Sequence, residues 1–294
     1  MSPDSPVTVT VEGRTLRLTH LDKVMYPETG TTKADVIGYY QAIAPVLLPQ
    51  LRDRAITRKR WPDGVDGPVF FEKNVPRGHP DWLRTATFHH SDRGRGREAR
   101  DVEYVLADDT ATLVWLAQVA ALELHTPQWR VGAKGSRLAP DRLVVDLDPG
   151  APAGLAECAT VALAARDLLR DAGSDAVPVL SGSKGIHLYA PLTPAAPAHA
   201  ADVARLLAQA LGELLPDLVV TTMARPDRTG RVFVDWSQNN PAKTTVTPYS
   251  LRGRDTPTVA TPVTWEELAS PDLRQLQADE VLERVSRLGD LMTP

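Results

Sequence analysis

A single cysteine, Cys158, stands among 294 residues. No intrachain disulfide can form, and a cysteine-rich zinc site is excluded. That usage suits a reducing cytoplasm. No apolar run approaches the ~20 residues of a membrane span, so no membrane partner is expected. The polar start Met1-Ser2-Pro3-Asp4-Ser5-Pro6 resembles no signal peptide. The net charge of −4 excludes a general polycation, so any nucleic-acid affinity must come from a local patch. Lysine is also scarce. Of 33 basic residues, only Lys23, Lys33, Lys59, Lys73, Lys134, Lys184 and Lys243 are lysines. The chain otherwise uses arginine for charge, which makes each lysine a candidate for a task that needs a compact ammonium. Two catalytic frames are absent. There is no Gly-x-Ser-x-Gly elbow for a serine nucleophile, and no P-loop order with Lys after the second glycine of a longer frame.

Three short stretches carry chemistry. Val144-Val145-Asp146-Leu147-Asp148-Pro149-Gly150 places two carboxylates at i and i+2 after an apolar run. Strand side chains alternate, so Asp146 and Asp148 share a face. Val232-Phe233-Val234-Asp235 ends a second apolar strand in another carboxylate. Three carboxylates on strand ends repel one another unless a cation lies between them. An all-oxygen donor set suits magnesium or manganese. The third stretch, Ser181-Gly182-Ser183-Lys184-Gly185-Ile186-His187, is a Ser/Gly turn carrying a lysine and a histidine. Its glycines permit close approach of backbone amides to an anion. Ser181 and Lys184 are candidates for phosphate contacts, with His187 on the strand that follows. Strand-end Asp as a plain turn former, and a tight hairpin with a core histidine, are the alternatives. Together the stretches point to metal-assisted phosphoryl or nucleotidyl transfer.

The pattern along the chain predicts a hairpin over 7–18, a helix over 32–51 and two strands within 55–73. It predicts a polar Arg/Gly loop over 89–100 and a buried helix over 110–125. In the second half it predicts a strand at 142–148, a helix at 154–172 and strands at 176–181 and 186–190. A helix at 199–215, strands at 218–222 and 231–236, and a helical tail from Trp265 follow. The order strand-helix-strand-strand-helix-strand-strand is that of a split βαβ sheet with helices on one face.

Several flanking groups suit a polyanion. Thr57-Arg58-Lys59-Arg60-Trp61 sets three cations beside an aromatic, and Phe70-Phe71-Glu72-Lys73 ends the adjacent strand. Aromatic rings can stack on unpaired bases; the alternative is that the phenylalanines are core. Arg252 in Leu251-Arg252-Gly253-Arg254 could close a phosphate site or lie in a solvated loop. Lys33 falls in the first turn of a helix, with Lys23 before it, and such a helix start suits a terminal phosphate; ordinary surface lysines are the alternative. His125 is as well explained by packing as by a site.

These residues resemble the polymerase module of bacterial ATP-dependent DNA ligase D, in the archaeo-eukaryotic primase superfamily. The resemblance lies in Asp-Leu-Asp-Pro-Gly at 146–150, Ser-Gly-Ser-Lys-Gly-Ile-His at 181–187 and Val-Asp-Trp-Ser-Gln-Asn at 234–239. It extends to Asp22–Pro27, Thr57–Pro62, Phe70–Lys73 and Pro248–Gly253, and spans about residues 15–290. It implies an α+β primase-polymerase fold: an RRM-like catalytic sheet with a packed N-terminal α/β lobe. One domain is expected over 8–292, with an N-terminal lobe at about 8–135, a catalytic lobe at about 140–256 and a tail at about 264–290.

The activity implied is template-directed nucleotide addition that fills gaps and extends ends in non-homologous end joining, with a preference for ribonucleotides. By matching position, Asp146, Asp148 and Asp235 would hold two divalent cations, Mn2+ before Mg2+. Lys59, Ser181, Lys184, His187 and Arg252 would hold the incoming NTP or dNTP, with Ser181 also the candidate for reading the sugar hydroxyl or for capping its own turn. Lys23 and Lys33 would grip a 5′-phosphate on gapped or broken DNA. Arg60, Phe70, Phe71, Arg228 and Gln238 would complete the DNA contacts. Ku and a ligase module are the implied partners, in the bacterial cytoplasm at the nucleoid. The stretch His89–Arg97 is more basic than the family pattern. No ligase or nuclease motif stands in the chain, so an excised domain and a stand-alone primase-polymerase for short-gap repair are both open. A non-catalytic DNA-end binding module and a metal-dependent phosphoesterase are the competing readings.

Overall fold

The computed structural model describes residues 5–90, 100–196, 198–222 and 224–292. The chain forms two compact units. The first runs to Thr126 and adds Arg130–Arg137 and Gly253–Pro257. The second comprises Pro127–Trp129, Leu138–Arg252 and the chain from Thr258 on. Among the described residues, no helix is long and apolar enough to cross a membrane.

In the first unit, β1 (Val7–Val11) and β2 (Arg14–Leu18) form the expected hairpin. Glu12 and Gly13 both take positive φ, 47° and 76°, the twist that a two-residue turn between strands requires. Strands β3 (Val24–Tyr26) and β4 (Thr31–Thr32) lead into helix α1 (Lys33–Leu51). Thr32 caps that helix: its hydroxyl accepts the Asp35 amide at 3.3 Å, and the Asp35 carboxylate accepts the Thr32 amide at 2.8 Å. Next come β5 (Thr57–Arg60), β6 (Phe70–Glu72), β7 (Thr85–His90), β8 (Arg100–Val105), α2 (Thr110–Gln118) and β9 (Ala121–Thr126). Strand β5 lies antiparallel between β9 and β6. The core includes Tyr40, Ile43, Leu47, Ile56, Leu113 and Leu116.

Two expectations for this unit need correction. The run 110–125 is not one helix. It ends at Gln118, Ala120 takes φ 59°, and β9 follows. A short apolar run fits a buried helix or a buried strand equally; here Glu123 and His125 alternate with Leu122 and Leu124 at period two. The polar loop is also shorter than expected. His89 and Arg100 belong to the antiparallel pair β7–β8, in which His89 stands opposite Asp101. Residues 91–99 of that loop lie outside the described residues.

The second unit contains β10 (Arg142–Pro149), α3 (Leu155–Asp171), β11 (Val177–Leu180), β12 (Ile186–Pro191), α4 (His199–Leu214), β13 (Val219–Val220) and β14 (Val232–Val234). The chain continues through β15 (Thr245–Val246), β16 (Thr261–Pro262), α5 (Trp265–Leu268) and α6 (Ala278–Leu288). The expected helical tail consists of two short helices. The sheet order is β13-β14-β10-β12-β11-β16, so its four central strands follow the split βαβ order. Leu143, Val145 and Leu147 of β10 pack with Cys158, Val161 and Ala165 of α3 and Ala204, Ala208 and Leu211 of α4. Val144 packs on the opposite face with Val179 and Tyr189. Alternation then puts Asp146 and Asp148 on that opposite face.

Tight backbone approaches fix the strand ends. Gly185 sits so close to β10 that an added Cβ would collide with the Leu147 carbonyl oxygen. Its own carbonyl accepts the Ser181 amide at 3.0 Å. Gly185→Ala should therefore cost about 3 kcal/mol through overpacking. The check is a lower urea midpoint; an unchanged midpoint would mean that the 181–185 turn yields freely.

Candidate active site

The three carboxylates lie at neighbouring strand ends of the second unit. On β10, Asp146 stands opposite His187 of β12. On the other side β14 ends at Val234, and the Asp235 amide donates to the Asp146 carbonyl oxygen at 2.9 Å. Asp146 is thus flanked by His187 and Asp235. The side chains are not left bare. His187 Nε2 is 3.2 Å from Asp146 Oδ1. Asp235 caps the 3-10 turn Trp236–Asn239, accepting the Ser237 amide at 3.1 Å and Gln238 Nε2 at 2.9 Å. Gln238 is therefore a partner of the third carboxylate in this structure. Asp146 and Asp235 are buried, while the Asp148 side chain reaches solvent.

The carboxyl of Asp148 is raised to about 6. Desolvation is the main cause, followed by the negative charge of Asp146; His187 and Arg228 act in the opposite direction, and Asp235 adds to the rise. Uncompensated negative charge of this kind fits a bound cation. Among the described residues, no three His, Cys, Asp or Glu side chains already converge as a finished cage. The oxygens would have to exchange some protein partners for the ion.

The turn beside them is built as the glycines suggested. Ser181 is buried, and its hydroxyl accepts the amides of Ser183 at 3.2 Å and Gly185 at 3.1 Å. It serves its own turn. Gly182 has φ 66°, and a side chain there would strike Val259 and the Arg252 stem. Arg252 is buried against this turn and donates to the Ser181 carbonyl. Lys184 is exposed at the tip. The Nδ1 of buried His187 finds no hydrogen-bond partner among the described residues. Arg228 stacks over the Phe233 ring at 3.6 Å. Its loop is tied to the end of β10 by the Gly150 amide, which donates to the Arg231 carbonyl at 2.8 Å. The structure thus gathers Asp146, Asp148, Asp235, Ser181, Lys184, His187, Arg228, Gln238 and Arg252 in one unit.

The remaining candidates lie in the first unit. Lys33 is buried and donates to the Thr19 carbonyl at 3.0 Å. Burial, then the charges of Lys23 and Arg60, lower its ammonium to about 8. Lys23 pairs with Asp63 at 2.8 Å, and Arg60 with Glu72 at 2.9 Å. These three cations form one basic cluster. Lys59 points to the other face of β5, where it meets Glu123 at 3.0 Å and lies 5.0 Å from the Trp61 ring centroid. Both phenylalanines are exposed, Phe70 at 47% and Phe71 at 58%. Neither is core, against the alternative that the phenylalanines are core: β6 is an edge strand in the β9-β5-β6 order.

Two residues escaped the sequence reading. Glu123, fully buried, holds Lys59 with one oxygen and accepts the Gly253 amide with the other at 3.1 Å. The wrong helix over 110–125 hid it. Lys243 lies 3.7 Å from Asp235; its only signal was the scarcity of lysine.

Residues 32–292 match the family model described as LigD, primase-polymerase domain. The multifunctional non-homologous end joining DNA repair protein LigD of Mycobacterium tuberculosis is 51% identical over 281 residues, which cover 94% of this chain and 36% of that protein. The bifunctional non-homologous end joining protein LigD of Bacillus subtilis is 32% identical over 277 residues, 93% of this chain and 43% of that protein. The solved polymerase domain of Mycobacterium tuberculosis Ligase D in complex with DNA matches with a TM-score of 0.90 and 49% identity, covering 94% of this chain and 96% of that one. The chain spans about a third of the length of the mycobacterial protein. With the family model covering most of the sequence, this chain belongs to the LigD primase-polymerase domain family.

Proposed function

We propose that this chain is a template-directed nucleotidyltransferase that fills gaps and extends broken DNA ends, acting in non-homologous end joining. The observation that carries the reading is the placement of Asp146, Asp148 and Asp235 on adjacent strand ends beside the 181–187 turn. The likeness to a polymerase domain solved with DNA supports it. Asp146, Asp148 and Asp235 are the residues that would hold divalent cations. Bound there, Mn2+ or Mg2+ would supply charge neutralisation for the triphosphate and a lower pKa for an attacking 3′-hydroxyl.

The rest of the work falls to positioning and charge. Lys184 and Arg252 offer cations to the triphosphate. His187 orients Asp146 through Nε2 and presents Nδ1 as a free hydrogen-bonding atom. Ser181 holds the turn that carries Lys184, rather than reading the sugar, since its hydroxyl already accepts two amides. Preference for ribonucleotides and for manganese rests on the family resemblance alone. Lys59 is a nucleotide contact by the family resemblance, while Phe70 and Phe71 offer exposed rings to unpaired bases. Lys23, Lys33 and Arg60 form the 5′-phosphate cluster, beside the start of α1. Ku and a ligase module are the proposed partners in the cell.

Asp148→Asn should lower metal-dependent primer extension by ~100-fold or more, with affinity for gapped DNA roughly unchanged, because phosphate contacts elsewhere supply it. Extension assays with fluorescence anisotropy on the same substrate check this. Near-normal extension would sink the carboxylate assignment, whereas DNA binding with no extension by the unaltered chain would point to a DNA-end binding module.

Replacing Lys23 and Lys33 together by alanine should erase the preference for a phosphorylated gap. Each charge-assisted contact contributes about 1.5–3 kcal/mol, and only when the phosphate is present. The preference should also depend on pH. Lys33 loses its proton near pH 8 in the free protein, so binding the phosphate above that pH requires proton uptake. Preference for the phosphorylated gap should therefore fall as pH rises above 8. Lys33→Arg, charged throughout, should flatten the profile. A wild-type preference that holds level to pH 10 would remove Lys33 from the phosphate site.

A further inference from the structure

Among the described residues, Lys243 is the lysine that the structure brings to the carboxylates and that the proposed activity does not use. Its backbone is fixed by a tight turn: the Lys243 amide donates to the Asn240 carbonyl at 2.9 Å, and Asn240 Oδ1 accepts the Ala242 amide at 2.9 Å. Its ammonium donates to the Ser237 hydroxyl, which in turn donates to Asp235 Oδ1. The same ammonium lies 3.7 Å from Asp235 Oδ2. Both oxygens of the third carboxylate therefore feel one lysine, directly or through a serine. Stability is a weak explanation for this pair. The Lys243 side chain is 39% exposed, and exposed ion pairs contribute little to folding. Asp235 also keeps the Ser237 amide and Gln238 Nε2 without it. The effect on an incoming doubly charged ion is direct, because a positive charge 3.7 Å from a ligand oxygen repels the ion.

We propose that Lys243 is a built-in counter-cation that competes with the divalent cation for Asp235 and so sets the cation affinity of the cluster. This rests on the reading of Asp146, Asp148 and Asp235 as a cation site. Lys243 itself is a positioning residue, since it acts through Asp235 and Ser237. The competition keeps the cluster partly neutralised when no cation is bound, at the expense of cation affinity.

The test uses the whole chain, without nucleotide or DNA, and Mn2+ as the probe. Thermal shift and calorimetric titration give the half-saturating Mn2+ concentration for wild type, Lys243→Met, Lys243→Gln and Lys243→Arg. Removing the charge should lower that concentration by about tenfold, equally in the Met and Gln variants, although Gln keeps a donor for Ser237. The Arg variant should stay near wild type. An unchanged or higher Mn2+ requirement in both neutral variants overturns the proposal. Asp148→Asn separates the two levels. If wild type and Asp148→Asn respond to Mn2+ alike, the carboxylates are not the cation site and both readings fall. If only wild type responds and the neutral lysine variants match it, the site stands and Lys243 is excluded.

Discussion

The bond from the Asp235 amide to the Asp146 carbonyl oxygen carries one more ladder step past the end of β14. That step brings a third carboxylate alongside a strand that already carries two. Beside it, the Asn239 side chain accepts the Val144 amide at 2.9 Å and donates to the Val144 carbonyl at 2.7 Å. An amide side chain thus substitutes for a strand neighbour where β14 has turned away. Both devices are needed because the carboxylates repel one another. Only a backbone ladder, rigid and independent of side-chain charge, can hold such groups together without an ion.

The surrounding polar groups reduce that repulsion without removing it. Asp146 is met by His187, and Asp235 by Ser237, Gln238 and Lys243. Asp148 carries the residue of the conflict, with its carboxyl raised to about 6. Local conflict of this sort, in an otherwise consistent fold, marks a place kept for function rather than stability. The rigid parts around it agree with this. The apolar residues of β10 alternate into the α3–α4 core, so the strand cannot slip by one residue without burying its carboxylates.

The second unit was largely legible in the sequence. Strand periodicity, the Asp-x-Asp pair and the Ser/Gly turn are local signals, and the structure places them as their spacing suggested. What failed was context. The stretch Leu113–Leu124 is apolar enough for either element, and only the positive φ at Ala120 and pairing with β5 resolve it. Exposure of both Phe70 and Phe71 depends on β6 having a neighbour on one side only, which no local pattern reports. Ser181 was legible as a turn residue, yet its role as acceptor for two amides appears only in three dimensions. Lys243 is eight residues from Asp235 in sequence, and a tight turn of its own brings it back.

Strand alternation also divides labour among consecutive cations. On β5, Arg58 and Arg60 lean toward Glu72 at 3.3 Å and 2.9 Å. Lys59, between them, points the other way to Glu123. Arg58 is fully buried, and burial pulls its guanidinium down to about 10; it is a structural cation. Arg60 is partly exposed and adds its field to Lys33. Lys59 keeps a quarter of its side chain exposed beside Trp61. Gly253 lies so close to the Trp61 ring that a Cβ would collide with it, which leaves the Gly253 amide free to reach Glu123. Three adjacent basic residues thus receive one buried place and two separate faces of the strand. A one-residue register shift would exchange these faces, so the pairing of β5 with β9 and β6 decides which cation is buried and which stays accessible.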